Sequence, residues 1–342
     1  MQEINRQWLL AKRPHGMIRE SDFEYREAPM PQPDLQAGEI LVRNLMFSFD
    51  PAQRMWVEDK PSYLPPVQIG EPMRSSAVAQ VVKSENPAYP VGSLVMGLFG
   101  WQEFALGNRS SDLMPPVPLP AGTPPSIPLG CMGGSSITAY FGLLDVGRPQ
   151  AGETVVVSGA AGAVGSAVAQ IAKLQGCRVV GIAGGSEKCG WLRNECGIET
   201  VIDYKSENVE QRLGELCPQG INVFFDNVGG AILEAAIEHM ADHGRIVLCG
   251  AISIYNAAEP QPGPRNMFIL IERRIRMEGF IAIDFLDRMN EARDALMGWI
   301  SGGQIKFRED IQHGFENIPS TLFRLFSGEN VGKQLLKLSD PA

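Results

Sequence analysis

The sequence predicts an α/β protein in which a doubly wound parallel sheet follows a β-rich domain. Three observations carry that reading. Residues 154–173, TVVVSGAAGAVGSAVAQIAK, run from a β-branched strand through Gly159-x-x-Gly162-x-x-Gly165 into a helical pattern; this is the order a dinucleotide site needs. Beyond about residue 126, strand-like and helical stretches alternate, as they do when crossover helices cover a parallel sheet. Before it, short extended runs are broken by proline and glycine at the spacing of a barrel-like β domain.

In chain order, the first domain offers strands at 39–48 (EILVRNLMFS), 76–84 (SAVAQVVKS) and 93–106 (SLVMGLFGWQEFAL). Residues 114–128, MPPVPLPAGTPPSIP, are too rich in proline for helix and read as a connection between domains. Strand candidates follow at 154–158, 178–183, 200–202, 222–226, 245–249 and 276–280, which complete one doubly wound sheet. After the glycine turn, Val164, Val168, Ile171 and Leu174 recur at helical spacing. His239 and His243 read as the polar end of a helix, because Gly244 follows at once. The closing NVGKQLLKL, 330–338, is extended and is expected to fold back onto the first domain. The expected division is 1–125 with 314–342 as one domain and 126–313 as the other.

Hydrophobic residues make up 44% and charged residues 20% of the 342, ordinary for a globular protein. The net charge of −9, from 30 basic and 39 acidic residues without a block of like charge, argues against nucleic acid or an anionic membrane as partner. No apolar run approaches the roughly 20 residues that span a bilayer. The opening MQEINRQWLLAKRP has no signal-peptide core, so a cytoplasmic location is expected. The six cysteines (Cys131, Cys177, Cys189, Cys196, Cys217 and Cys249) form no C-x-x-C pair and the four histidines do not cluster, so no metal site is expected.

At the turn, small residues let the backbone of Gly162, Ala163, Val164 and Gly165 face a diphosphate at a helix N-terminus. In an NAD site a carboxylate at the end of the second strand takes the ribose hydroxyls, roughly 20 residues past the turn. Here that strand ends in Gly184, Gly185 and Ser186, with Lys188 beyond. No carboxylate occupies the tip and a cation stands within reach of a 2′-phosphate, which favours NADPH. Glu187 keeps NADH open, and Lys188 also reads as a solvated lysine opening the next helix. Two more strand ends, 226–230 (DNVGG) and 249–256 (CGAISIYN), carry small or amide residues suited to nicotinamide and ribose, or to ordinary turns.

These pieces, with PPVQIGEPM (65–73), GAAGAVGS (159–166), GSEK (185–188), VIDYK (201–205), FFDNVGG (224–230), EGFI (278–281) and ENVGK (329–333), resemble the medium-chain dehydrogenase/reductase superfamily. More narrowly they resemble its zinc-independent branch of prostaglandin reductases, leukotriene hydroxydehydrogenases and bacterial curcumin reductases. The resemblance implies a GroES-like β-rich N-terminal domain and a Rossmann domain. It implies reduction of the C=C double bond of α,β-unsaturated ketones and aldehydes, with NADP(H) as cofactor and an enone or enal as small-molecule substrate. Lys188 and Tyr204 are implied at the 2′-phosphate. Asn227, Cys249, Gly250, Ala251, Ile252, Ser253, Tyr255, Phe280, Ile281, Ala282 and Asn330 are implied along the rest of the cofactor. Tyr255, beside the nicotinamide ribose and the substrate carbonyl, is the implied catalytic residue; outside this motif it reads as structural. The family also implies a homodimer formed through the edge strand of the nucleotide domain.

The chain departs from the family on the expected substrate side. After Phe49-Asp50-Pro51 it reads Ala52-Gln53-Arg54-Met55-Trp56 in place of a Tyr-Met-Arg-Gly-type stretch, and Ser75-Ser76 stand where relatives often have glycines. Tyr63, in a loop with Pro61, Pro65 and Pro66, is the substrate-contact candidate. Met46, Phe49, Phe99 and Met267 are wall candidates whose safer reading is core. Hydride arriving at the β-carbon of an enone builds negative charge on the carbonyl oxygen. The Tyr255 hydroxyl or a cofactor ribose hydroxyl is the stabilising donor, and the α-carbon takes its proton from water or tyrosine. Competing readings are a quinone oxidoreductase of the same superfamily and an NADPH-binding protein without turnover.

Overall fold

The structure, a computed structural model, describes residues 4–342, and these divide into two compact units. The first comprises the described residues up to Gly130 with Glu309–Asn330 and Gln334–Ala342; the second is Cys131–Arg308 with Val331–Lys333.

In the first unit, β1 (Ile4–Leu10) and β2 (Phe23–Pro29) form an antiparallel ribbon. Then come β3 (Ile40–Ser48), β4 (Ala77–Lys83), β5 (Leu94–Gly97), β6 (Phe104–Gly107) and β7 (Val117–Pro118). They pair in the order β3-β4-β5-β7, with β6 also on β3. The run expected as one strand over 93–106 is thus two. Between them Gly100 takes φ +70, and Phe99 and Trp101 turn into the core. Trp101 is fully buried, its ring 4.9 Å from Phe23 and 5.9 Å from Phe49. The β1–β2 ribbon has no counterpart in the sequence reading, because β2 exposes most of its residues and lacks a strong apolar alternation.

The second unit holds β8 (Thr154–Ser158), β9 (Arg178–Ala183), β10 (Thr200–Asp203), β11 (Ile221–Asp226), β12 (Met240–Leu248) and β13 (Arg276–Gly279). All neighbours are parallel in the order β10-β9-β8-β11-β12-β13, so the direction of travel reverses at β8. Val155, Val156 and Val157 are fully buried, as expected of a parallel strand covered on both faces. The helix Ala163–Leu174 presses Val168 and Ile171 into that core, with Val164 and Leu174 at its margin. His239 does end a helix, Gly230–Glu238, but His243 does not. It lies inside β12 at φ +59, where the register steps from Ile221–Met240 to Val223–Arg245. That irregularity starts the strand earlier than the apolar run 245–249 suggests.

Finally β14 (Glu309–His313) and β15 (Lys333–Lys337) extend the first unit's sheet, β15 lying antiparallel on β3. Residues 309–313, assigned by the sequence reading to the nucleotide domain, sit in the first unit because β14 pairs there. No helix among the described residues is long and apolar enough to cross a membrane.

Candidate functional site

Six parallel strands end on one side of the second unit's sheet, and each end carries residues the sequence singles out. Gly162 to Gly165 follow β8, Lys188 follows β9, Tyr204 follows β10 and Asn227 follows β11. Cys249 to Tyr255 follow β12, and Phe280 to Ala282 follow β13. The turn after β8 stands where the strand order reverses, the place at which open α/β sheets bind ligands.

That turn is built from backbone. Gly162 caps the helix Ala163–Leu174 in extended conformation, φ −79 and ψ 173, with no side-chain cap bond. The helix ladder begins when Ser166 N–H donates to Gly162 O at 3.0 Å. The N–H groups of Ala163, Val164 and Gly165 precede that ladder and point along the positive end of the helix dipole. A Cβ on Gly165 would lie 2.3 Å from Gly159 O and 2.8 Å from Ala160 Cα, so helix and strand meet here only without a side chain. A Cβ on Gly162 would meet only Gly159 O, at 3.3 Å. A helix N-terminus opened by glycine, with its first N–H groups outside the ladder, has the donor chemistry that suits a diphosphate. Gly332 flanks the turn, donating its N–H to Ala161 O at 3.1 Å and bridging Gly162. Asn330, buried, belongs to the first unit and precedes this segment in the chain.

The ends of β9 and β10 form a second corner. Tyr204 N–H donates to Ala183 O at 3.0 Å. Its half-exposed ring lies against Gly184, where a Cβ would come within 2.6 Å of the ring. Asp203 Oδ1 accepts from Gly185 N–H at 2.8 Å and Lys205 N–H at 3.0 Å. Those bonds, Gly185's first, hold the carboxyl below its ordinary range. Lys188 stands in the first turn of the helix Ser186–Asn194. Glu187 is bound by Arg308 Nη2 at 2.8 Å. The sequence reading missed Asp203 and Arg308. An Asp two residues before Lys205 carries a turn signature that could have found the first; nothing local marks the second.

Asp226 organises the remaining strand ends, and it too was missed as a positioning residue. Its Oδ1 accepts from Ser158 Oγ at 2.7 Å and from Val228 and Gly229 N–H at 3.0 Å. Its main-chain oxygen accepts from Cys249 N–H at 2.9 Å and Gly250 N–H at 3.0 Å. Burial pushes this carboxyl upward, against the pull of the Gly229, Ser158 and Val228 donors. Asn227 is locked onto β8, its N–H donating to Ser158 Oγ at 2.8 Å and its Nδ2 to Ser158 O at 2.7 Å. Ser253 donates its N–H and Oγ to Val228 O, at 3.1 and 2.6 Å, which zips the two loops together. In the same loop Tyr255 Oη accepts from Ala251 N–H at 3.1 Å.

Other candidates are differently used. The Phe280 ring packs edge-on to Phe225 at 6.3 Å, fills the space above Gly142 and is partly buried against the second unit's core. Ile281 and Ala282 open the turn Ala282–Arg288. In the first unit Tyr63 Oη accepts from Trp56 Nε1 at 2.9 Å, and Arg74 lies 5.8 Å over the Trp56 ring. Met46, Phe49 and Phe99 are core residues, whereas Met267 is exposed. Of the departing residues Gln53, Arg54 and Ser75 are buried, and Ala52, Met55, Trp56 and Ser76 are partly so. Gln53 Oε1 accepts from Asp50 N–H at 3.0 Å, Arg54 pairs with Glu58, and Ser75 Oγ donates to Ser48 O at 2.8 Å. Burial pushes the Cys249 thiol up to about 12, leaving it a neutral thiol near pH 7. Among the described residues no three His, Cys, Asp or Glu side chains are grouped to hold a metal ion.

Two family models match the chain: an N-terminal domain of oxidoreductase over residues 6–114 and a zinc-binding dehydrogenase over 163–300. The chain is similar to the NADPH-dependent curcumin reductase of Escherichia coli, 39% identical over 98% of this chain and 97% of that one. It is 40% identical to prostaglandin reductase 1 of Bos taurus, over 96% of this chain and 98% of that one. The chain belongs to the zinc-independent branch of the medium-chain dehydrogenase/reductase family. This reductase also superposes on the crystal structure of CurA in complex with NADPH from Vibrio vulnificus, with TM-score 0.92, 38% identity, and 98% and 100% of the two chains covered.

Proposed function

We propose that this NADP-dependent oxidoreductase reduces the C=C double bond of α,β-unsaturated ketones and aldehydes. The observation that carries the reading is the Asp226-centred lock that ties Asn227 to β8 and the 249–255 loop to Asn227's own loop, with Tyr255 Oη in its midst. Its relatives named for curcumin and prostaglandin reduction support the substrate class.

When bound, NADPH supplies the hydride. The chain's own residues bind and orient it. The N–H groups of Ala163, Val164 and Gly165 hold the diphosphate, Lys188 and the Tyr204 face take the 2′-phosphate, and Asn227 with the 249–253 backbone lines the ribose and nicotinamide. Ile281 and Ala282 complete that contact. Tyr255 aims its hydroxyl at the substrate carbonyl oxygen, where a fixed donor stabilises growing negative charge.

The test is NADPH oxidation against enals, enones and quinones, with product analysis. Saturated ketone or aldehyde is expected. Quinone-only turnover would make the chain a quinone oxidoreductase, and NADPH binding without turnover a binding protein. A homodimer through β13 belongs to the same reading. β13 is an edge strand, and Met267, Phe268 and Ile271 just before it are exposed. Light scattering at monomer mass would reject the dimer.

A further inference from the structure

We infer that Arg308 sets the preference for NADPH by holding the Glu187 carboxylate away from the adenosine 2′-phosphate, an inference that rests on the cofactor reading above. Glu187 is the acidic residue in the first turn of the helix Ser186–Asn194, between the Gly185 turn and Lys188. A carboxylate near this strand end is what an NADH site uses to take ribose hydroxyls. Left to itself it would repel a phosphate carrying more than one negative charge. Arg308 Nη2 binds Glu187 Oε1 at 2.8 Å.

The guanidinium is held there through its backbone. Arg308 O accepts Lys333 N–H at 2.8 Å, and a Cβ on the neighbouring Gly332 would fall 2.1 Å from the same oxygen. Gly332 in turn donates to Ala161 O at the diphosphate turn. Two residues earlier, Lys306 N–H donates to Gln170 Oε1 at 2.7 Å and Lys306 O accepts from Gln170 Nε2 at 2.9 Å. Gln170 is buried in the helix that the glycine turn opens. The main chain of Arg308 is therefore fixed against one end of the ADP site while its side chain reaches the other. The ion pair is partly exposed, with side chains 39% and 69% accessible. Its direct contribution to stability is small. Its effect on a nearby dianion is not, because losing it removes one positive charge and leaves a negative one unmatched.

The experiment measures binding of 2′,5′-ADP and 5′-AMP to the full chain by calorimetry, for wild type, Arg308→Gln, Glu187→Gln and the double variant. Arg308→Gln is expected to weaken 2′,5′-ADP roughly fivefold to tenfold at low salt, less at high salt, and to spare 5′-AMP. Adding Glu187→Gln should restore most of that loss. Equal weakening of both ligands would make Arg308 a structural residue and overturn the inference, and so would a double variant no better than Arg308→Gln. The cofactor reading fails separately. Wild type that binds both ligands alike sinks it, whereas wild-type discrimination that survives in Arg308→Gln sinks only the role given to Arg308.

Discussion

Replacing Gly165 by alanine places a methyl carbon 2.3 Å from Gly159 O and 2.8 Å from Ala160 Cα. Both are backbone atoms of the strand-to-helix turn, so the helix has to move. Overpacking of this kind costs about 1–3 kcal/mol, offset by about 0.5–1 kcal/mol that alanine gains over glycine inside a helix. A net loss of about 1–2 kcal/mol follows, seen as a melting temperature lowered by several degrees. Gly162→Ala is the contrasting case. Its φ of −79 and ψ of 173 suit any residue, and its Cβ meets only Gly159 O, at 3.3 Å. The fold should keep its melting temperature. The new methyl, however, is added at the N-cap of the helix whose first N–H groups are those proposed to hold the diphosphate. Displacing even one hydrogen bond to a charged group, worth about 1.5–3 kcal/mol, weakens NADPH by roughly tenfold or more. Thermal unfolding and fluorescence titration with NADPH read the two effects separately. Wild-type affinity in Gly162→Ala, or an unchanged melting temperature in Gly165→Ala, would refute the assignment of one glycine to the ligand and the other to the fold.

Three further outcomes follow from the site. Lys188→Ala should raise KM for NADPH far more than for NADH in steady-state assays; equal effects would remove it from the phosphate corner. Tyr255→Phe should leave NADPH affinity intact and lower kcat, up to the 2.7–4 kcal/mol of barrier that one oxyanion donor typically supplies. An unchanged kcat would leave the cofactor ribose hydroxyl as sole donor. Asp203 is held below its ordinary range by the Gly185 and Lys205 amides, so its contribution is full above the unfolded value near 3.9 and is lost as pH falls through the lower folded value. The stability gap between wild type and Asp203→Asn in urea unfolding should therefore close below about pH 4; a gap independent of pH would contradict it.

The parallel sheet was legible because β8, β9 and β11 are buried on both faces and read as short apolar runs, and the glycine spacing between β8 and its helix is a local pattern. Contacts between distant segments were not. Arg308 stands 121 residues from Glu187, and Ser158 stands 68 from Asp226. In the sequence Asp226 is indistinguishable from a turn former or a ribose ligand; its own turn supplies three hydrogen bonds, and the neighbouring ends of β8 and β12 add three more, from Ser158 Oγ, Cys249 N–H and Gly250 N–H. The start of β12 was hidden for a related reason. Met240 to Gly244 mixes histidine, aspartate and glycine, and it is the pairing with β11 that makes it strand. Phe280 was assigned to the cofactor by its motif, yet its ring is held by Phe225 and the bare backbone of Gly142. The motif marks where the chain passes, not which way the ring points.

The two ends of the proposed cofactor site differ in what can alter them. On the proposed reading the diphosphate is met by the N–H groups of Ala163, Val164 and Gly165, which side-chain substitutions at Ala163 and Val164 leave in place so long as the approach stays open, whereas Gly165 admits no side chain without moving the helix. On the same reading the 2′-phosphate corner depends on the side chains of Lys188, Tyr204 and the Glu187–Arg308 pair, Arg308 reaching Glu187 from a segment outside any helix or strand. Affinity for a dinucleotide and choice between two dinucleotides are thus separable in this fold. The first is written into backbone that the helix and strand need anyway. The second rests on charges that cost the fold little when changed, since the exposed pair adds little to stability. Asp226 joins neither group: it is buried, it touches the loops rather than the phosphates, and replacing it would disturb the nicotinamide end while leaving cofactor preference alone.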